Sequence, residues 1–452
     1  MARAKSETVR QLLHITMVGF AGLLRVLTWP QAAAMAAAAL LFNGLLLGRV
    51  VPGIIRPADA AGHRAGVMFY PLSVLLLVLV FQARLDMVAA AWAVMAFGDG
   101  TATLAGMRIG GPRLPWNQDK TWSGLAAFAV AGSVGAVALS MWVAPAVSPT
   151  PAAAFTWYAP VAAALVAALV ETIPVGLDDN LSVPFAAGLV LWLADRIDAR
   201  HVGEMWPLLA TRLPWALTVN LVMASAAWAR GSLTLTGALV GTLLGVVIYA
   251  GAGAGGWVVL LMAFVAAVVT SRIGHARKSA RGIAEAHEGR RGAGNVWANC
   301  VVGAIGAWLM TVNPGDAWGA LLLVAGLVAG ASDTVASEIG KAFGETPRTF
   351  PTLRPAAPGT PGAVSTIGTL AGLVSAAGMA WASSLLLGGG VLTVAAVTAG
   401  ATVGAFAESA LATRYEARGI LDNDVLNFIN TAIAAAIAVA LASALLAAMG
   451  PA

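Results

Sequence analysis

Long apolar runs separated by short polar stretches dominate the chain. Runs of bilayer-crossing length, about 17 to 25 residues for a helix, are read at 12–28, 31–48, 66–82, 87–106, 123–143, 157–173, 182–194 and 208–228. Others follow at 232–250, 254–271, 295–312, 317–340, 363–386, 390–412 and 425–449. The pattern predicts an all-α, polytopic integral membrane protein with about fifteen transmembrane helices. The run 182–194 is the shortest, and the charged stretch Asp195 to Glu204 follows it. It reads equally as a re-entrant or tilted helix, which would reverse the orientation of everything after it.

Composition narrows the class further. Of 452 residues, 59% are apolar and 10% charged, against roughly 25% charged in soluble domains. An ordinary soluble enzyme is excluded, and so is a disordered chain, which would be rich in charge and poor in apolar residues. The 51 glycines lack a collagen period and suit helices that pack closely in lipid. Cys300 stands alone, so an intramolecular disulfide framework and a cysteine-based zinc site are both excluded.

The net charge of +5 would suit nucleic acid until its basic residues are located. Most sit in alternate loops with the N-terminus, leaving Arg25, Arg84, Arg196, Arg200 and Arg212 on the other side. Basic residues collect in cytoplasmic loops. The expectation is a multi-pass protein of the cell inner membrane, with no nucleic-acid partner. Its N-terminus and the loops 107–122, 272–294 and 341–362 are expected to be cytoplasmic. The first apolar run is interrupted by His14 and Arg25 without a small-residue cleavage site, so it is expected to stay in the membrane.

A polar order recurs in both halves. Gly98-Asp99-Gly100-Thr101 ends one run, a Gly/Pro/Arg loop follows, and Lys120-Thr121-Trp122-Ser123-Gly124 opens the next run, with Glu171 and the knot Asp178-Asp179-Asn180 beyond. Later, Ser332-Asp333-Thr334 leads through a Pro/Arg loop to Pro361-Gly362 and Ser365, then Glu408, then Asn423-Asp424 with Asn427 and Asn430. This suggests two related modules, residues 1–205 and 206–452.

Ionisable groups at membrane depth cost several kcal/mol on insertion scales and usually face a polar cavity. Asp99, Glu171, Asp333, Glu338 and Glu408 are such groups. Acids beside Gly-rich loops that hold Lys and Arg suit a phosphate with a divalent cation. Magnesium takes one or two carboxylates and completes its shell with phosphate oxygens and water, and backbone N–H groups at helix starts bind phosphate. Lys120, Arg290 and Arg291 with Gly292 and Asn295 are the candidate phosphate contacts. Lys120 also fits a snorkelling interfacial lysine. The run Arg272 to Arg291 fits a topogenic or anionic-lipid contact, and the Asn423/Asn427/Asn430 stripe fits interhelical hydrogen bonding.

The motifs resemble known families. Arg10-Gln11-Leu12-Leu13-His14-Ile15, Asp99-Gly100-Thr101-Ala102 with Gly106, and Lys120-Thr121-Trp122-Ser123-Gly124 make residues 8–200 similar to phytol and dolichol kinases. Those are CTP-using membrane kinases of polyprenoid alcohols, related to CDP-diacylglycerol synthases. Their motif Asp-x-x-Ala-x-x-x-Gly followed by Lys-Lys-Thr-x-Glu-Gly is departed from at Asp119 and Ser123. Gly289-Arg290-Arg291-Gly292 with Asn295 and Asn299, Asp333-Thr334 with Ser337-Glu338 and Gly340, and Pro361-Gly362 with Ser365, Gly368 and Thr369 make residues 208–452 similar to the phytyl-phosphate kinase family.

The resemblance implies a two-step kinase. A long isoprenoid alcohol (phytol, geranylgeraniol or farnesol class) is phosphorylated in the first half, and its monophosphate in the second, with Mg2+ and CTP or another nucleotide. The implied catalytic residues are Asp99, Lys120, Glu171, Asp333, Glu338 and Glu408, and the metal ligands Asp99, Asp179, Asp333 and Asp424. The nucleotide or phosphate contacts are Thr101, Gly106, Lys120, Thr121, Gly124, Arg290, Arg291, Gly292, Asn295, Gly362, Ser365, Asn423, Asn427 and Asn430. A lipid cytidylyltransferase and a secondary transporter built of duplicated halves remain open alternatives, and the oligomeric state is left open.

Overall fold

The computed structural model describes residues 2–47, 65–173, 178–197, 199–283, 289–314, 317–418 and 421–449. Arg49, Arg56 and Arg64, which entered the loop-charge argument, lie outside the described residues. The chain divides into two compact units, Met1–Arg196 and Ile197–Ala452. The expected boundary at 205/206 falls inside a helix of the second unit, Ala199–Ala229.

The first unit runs α1 (Ala2–Thr16), α2 (Trp29–Leu45), α3 (Ala65–Val80), α4 (Leu85–Ala93) and α5 (Gly100–Arg108). A hairpin of β1 (Arg113–Leu114) and β2 (Asn117–Thr121) follows, then α6 (Trp122–Val143), α7 (Phe155–Thr172) and α8 (Asp179–Asp195). Alanine-rich α4 is the centre, with every residue from Leu85 to Ala93 buried. Small side chains on all sides let the surrounding helices approach it closely. Its entry is fixed by Arg84, whose Nε and Nη2 donate to fully buried Asp86 at 2.9 and 2.8 Å and whose Nη1 donates to Asp195 at the end of α8. A π-helical turn, Val94–Asp99, joins α4 to α5, and such turns often mark functional positions in helices.

The second unit is organised around α13 (Ala317–Phe343) in the same way. Before it come α9 (Ala199–Ala229), α10 (Leu235–Arg272), α11 (His275–Ala280) and α12 (Ala293–Val312). After it come short strands β3 (Arg348–Thr349), β4 (Arg354–Pro355) and β5 (Ala363–Val364), in the order β4-β3-β5, then α14 (Thr366–Leu387), α15 (Val391–Tyr415) and α16 (Asn423–Met449). Leu323, Ala325, Leu327, Val328 and Ala329 form the buried middle of α13.

Ten helices among the described residues are long and apolar enough to cross a membrane. The expected runs 31–48, 66–82 and 182–194 correspond to α2, α3 and α8, shorter helices of 17, 16 and 17 residues that are not among these ten. The run 12–28 begins inside α1 and continues as a 3-10 helix, Met17–Arg25. Gly19 and Gly22 weaken the α-helix there, so it is no regular span. The expected pair 232–250 and 254–271 forms the stretch α10, which breaks at Gly253 (φ 66°, ψ −162°). Thr234 N–H donates to the Arg291 carbonyl at 3.1 Å, and Arg291 Nη2 donates to Ser271 Oγ at 3.4 Å. Both ends of α10 therefore meet the start of α12, and α10 doubles back on itself. Arg212 Nη1 donates to the carbonyls of Ala250 and Gly251 at 3.0 and 2.8 Å, satisfying acceptors that the break leaves open.

Candidate phosphate and cation sites

In the first unit three elements bring the acids together. Asp99 closes the π-turn, Glu171 stands one residue from the end of α7, and Asp179 begins α8. One carboxylate oxygen of each lies within 4.8 Å of the others. The hairpin places Lys120 against them because Trp116 Nε1 and Asn117 Nδ2 donate to Thr172 Oγ1 and Thr172 O at 3.1 and 3.0 Å, tying the loop to the end of α7. Lys120 Nζ then donates to Glu171 and, at 3.3 Å, to Asp179. Burial opposes its charge, but Asp179, Glu171 and Asp99 together hold the ammonium above the usual lysine range. Burial likewise pushes the Asp179 carboxyl up, against the pull of Lys120. His14 Nε2 lies 3.9 Å from Asp99 Oδ2 and 3.3 Å from the Met95 carbonyl. Counting Asp178 and Arg10, whose charges also act on Asp99, four carboxylates face two cations. The excess negative charge suits a divalent cation, and the oxygen donors suit magnesium.

The other residues expected to hold phosphate in this unit have different duties. Thr121 accepts from Gly124 N–H at 3.1 Å as the N-cap of α6, the usual service of a threonine at a helix start. Thr101 Oγ1 donates to the Phe97 and Ala127 carbonyls at 2.6 and 3.2 Å, joining α5 to α6. Gly106 and Gly124 are close-approach positions. A Cβ would come 3.3 Å from Thr121 Oγ1 at the first and 3.1 Å from the Ala102 carbonyl at the second. Thr101, Thr121, Gly106 and Gly124 thus build the frame that holds Asp99 and Lys120.

The second unit repeats this frame. Ser365 caps α14 by accepting from Gly368 N–H at 3.2 Å. A Cβ on Gly368 would meet the Ala336 carbonyl at 2.5 Å, and one on Gly340 would meet Ser365 Oγ at 3.0 Å. Ala336 and Gly340 follow Asp333 by three and seven residues, as Ala102 and Gly106 follow Asp99. The pattern Asp-x-x-Ala-x-x-x-Gly is therefore present twice, a correspondence that the sequence reading missed in the second half.

A cavity of about 290 Å³ opens beside this frame. Asp333, Glu408, Arg291, Asn295, Asn423 and Asn427 line it, with Gly362 and Ser365 on the loop side. Glu408 Oε2 and both amide atoms of Asn430, one turn below Asn427, are buried with no hydrogen-bond partner beyond each other. Buried polar atoms are rarely left so, and two carboxylates on one cavity, Asp333 and Glu408, fit a hydrated magnesium ion carrying phosphate oxygens.

Some expected contacts are not in this wall. Glu338 is 1% exposed, with Oε2 accepting from Lys278 at 2.5 Å and Oε1 from Lys341 at 2.8 Å. Both oxygens are engaged, so its place is in an ion-pair network behind the cavity. Lys278, which the sequence places in a basic surface run, is also 1% exposed and donates to the Ser271 carbonyl at 2.7 Å. Asp424 lies against Gly294 in the first turn of α12, where the helix dipole favours a carboxylate. Gly292 is the N-cap position of α12, and Arg290 is exposed beside Gly231.

Comparison with known proteins places this architecture. A model of the integral membrane protein family DUF92 matches residues 218–435. An uncharacterized membrane protein of Synechocystis sp. is 38% identical over 249 residues, covering 53% of this chain and 95% of that protein. The chain belongs to this family of integral membrane proteins. Phytol kinase 1, chloroplastic, of Arabidopsis thaliana is 29% identical over 207 residues, covering 41% of this chain and 66% of the relative. Protein VTE6, chloroplastic, of the same plant is 30% identical over 213 residues, covering 45% and 63%. The chain thus spans just under two thirds of the length of these two plant relatives. No solved structure matches.

Proposed function

We propose that this DUF92-family membrane protein is a prenyl-alcohol kinase acting in two steps. The first unit phosphorylates a long isoprenoid alcohol, and the second converts the monophosphate to the diphosphate. CTP is the proposed phosphoryl donor, and the active-site loops face the cytoplasm. The observation that carries the reading is the Asp99–Glu171–Asp179 cluster with Lys120 set into it. Similarity to phytol kinases supports the substrate class.

Phosphoryl transfer asks a protein mainly to position reactants and to stabilise charge. Asp99 and Asp179 would hold magnesium in the first unit, and Asp333 and Glu408 in the second. Bound there, the ion would neutralise phosphate oxygens as charge shifts to the leaving group. Lys120 lies where it can contact a phosphate once the carboxylates turn to the cation. Glu171, the most buried of the three acids, is placed to accept the hydroxyl proton. In the second unit Arg291 and Asn295 hold the phosphate of the incoming lipid, and the Asn423–Asn427 stripe faces the nucleotide.

The test is incubation of the purified protein in detergent with magnesium, γ-labelled CTP and phytol, farnesol or geranylgeraniol, followed by separation of the lipids. Labelled mono- and diphosphate are expected. Asp99→Asn should abolish the first step and Asp333→Asn the second, each sparing the other. Loss of both steps from either change would contradict separate sites. Release of pyrophosphate in place of CDP would identify a cytidylyltransferase, and nucleotide-free counterflow of a labelled solute in liposomes would identify a transporter.

A further inference from the structure

A second cavity in the Ile197–Ala452 unit shares a wall with the polar one. It holds about 120 Å³ between α9, α10, α12 and α13, and Met223, Leu244, Leu260 and Phe264 give it an apolar lining. Arg291, Asn295 and Thr334 belong to both cavities. From this shared mouth the apolar space follows α12 from Asn295 to Cys300, about 8 Å at 1.5 Å per residue.

The polar groups along it differ from end to end. At the far end Trp257 Nε1 donates to Asn220 Oδ1 at 3.1 Å, and Asn220 Nδ2 donates to the Ala216 carbonyl at 2.8 Å, so the polar groups there need no ligand. At the mouth Arg291 Nε is buried and has no hydrogen-bond partner, while Nη1 donates to Asn295 Oδ1 at 3.2 Å and Nη2 to Ser271 Oγ. The cavity thus has a cationic mouth with one unsatisfied donor and a mainly apolar interior, in which Asn299 Oδ1 is an unpaired acceptor. That polarity matches a molecule with an anionic head and a hydrocarbon tail. Apolar cavities of about 150 Å³ stay dry and take up a benzene-sized guest, so this one fits a single five-carbon isoprene unit.

We propose that this cavity receives the phosphate-proximal isoprene unit of the prenyl monophosphate, with Arg291 and Asn295 holding its phosphate at the shared mouth. The inference rests on the reading of the second unit as a prenyl-phosphate kinase and adds where the chain enters and which residues select it. Recognition then depends on the first isoprene unit more than on total chain length.

Binding tests this on the full-length protein in detergent. Radiolabelled geranylgeranyl monophosphate is displaced by dimethylallyl monophosphate or by inorganic phosphate. Dimethylallyl monophosphate should displace it about tenfold better or more, from burial of its five carbons. Gly241 lines the cavity, and a Cβ there meets only Val296 Cγ1, at 3.7 Å, so Gly241→Leu fills the space without a backbone clash. The variant should retain labelled geranylgeranyl monophosphate about tenfold more weakly or worse, and dimethylallyl monophosphate should lose its advantage over inorganic phosphate in displacing what is retained. Ala224→Phe, from the facing helix, serves the same purpose if Gly241→Leu does not fold. Persistence of the advantage in a folded plug variant would overturn the cavity assignment and leave the kinase reading standing. Failure of the wild-type protein to retain labelled lipid phosphate would overturn both.

Discussion

At the scale of single residues, the most consequential arrangement outside the cavities is Lys278 between Glu338 and the end of α10. Both charges are withdrawn from water, and removing Lys278 leaves buried Glu338 with Lys341 as its remaining cation, against a cost of about 3–5 kcal/mol for breaking a buried pair outright. Lys278→Met should therefore lower the thermal midpoint in detergent by many degrees. The double variant Lys278→Met/Glu338→Gln should recover part of the loss, since the remaining amide can still accept from Lys341. Equal destabilisation by the single and double changes would show that the loss comes from the packing of Lys278 and not from the acid it leaves behind. Asp99, Glu171, Asp333 and Glu408 were legible in the sequence because an acid inside an apolar run is expensive and needs a reason. Lys278 was not, because a basic run from Arg272 to Arg291 reads as one interfacial patch. Nothing local announces that one member turns inward to an acid 60 residues away.

At the scale of elements, the capped helix start is what each unit repeats. Thr121→Ala and Ser365→Ala each remove an N-cap acceptor, a change that typically costs about 1 kcal/mol. Each should produce a small drop in thermal midpoint. Gly368→Val should be far worse, because its Cβ would be forced against the Ala336 carbonyl; unfolding in a detergent melt would report it, and a wild-type melt would refute the close approach. The helices themselves were largely readable from apolar run length. Two features were not. The 3-10 stretch Met17–Arg25 has the hydropathy of a span, and hydropathy carries no hydrogen-bond register. The sequence separated the two arms of α10 correctly, yet that Gly253 reverses the path is visible only once Thr234 and Ser271 are both seen at Arg291.

At the scale of the whole molecule, two units with internally complete cores suggest separable folding. The family match falls within Ile197–Ala452, and the Synechocystis relative is covered almost completely by about half of this chain. Residues 197–452 expressed alone are expected to give a monodisperse, helical species in detergent with a cooperative melt. Aggregation of this piece under conditions where the full chain is soluble would show that the first unit is required. The compact units meet at Arg196/Ile197, ahead of the apolar run at 208–228, because α9 already begins at Ala199.

The burial of Lys278 carries a consequence of another kind. The chain has only four lysines, Lys5, Lys120, Lys278 and Lys341, and an amine-reactive reagent reaches Lys278 only when α10, α11 and α13 part. Its acylation rate, read by peptide mass spectrometry, is therefore a clock for the local opening of the Ile197–Ala452 unit, and Lys341, 28% exposed on the same acid, supplies the internal standard.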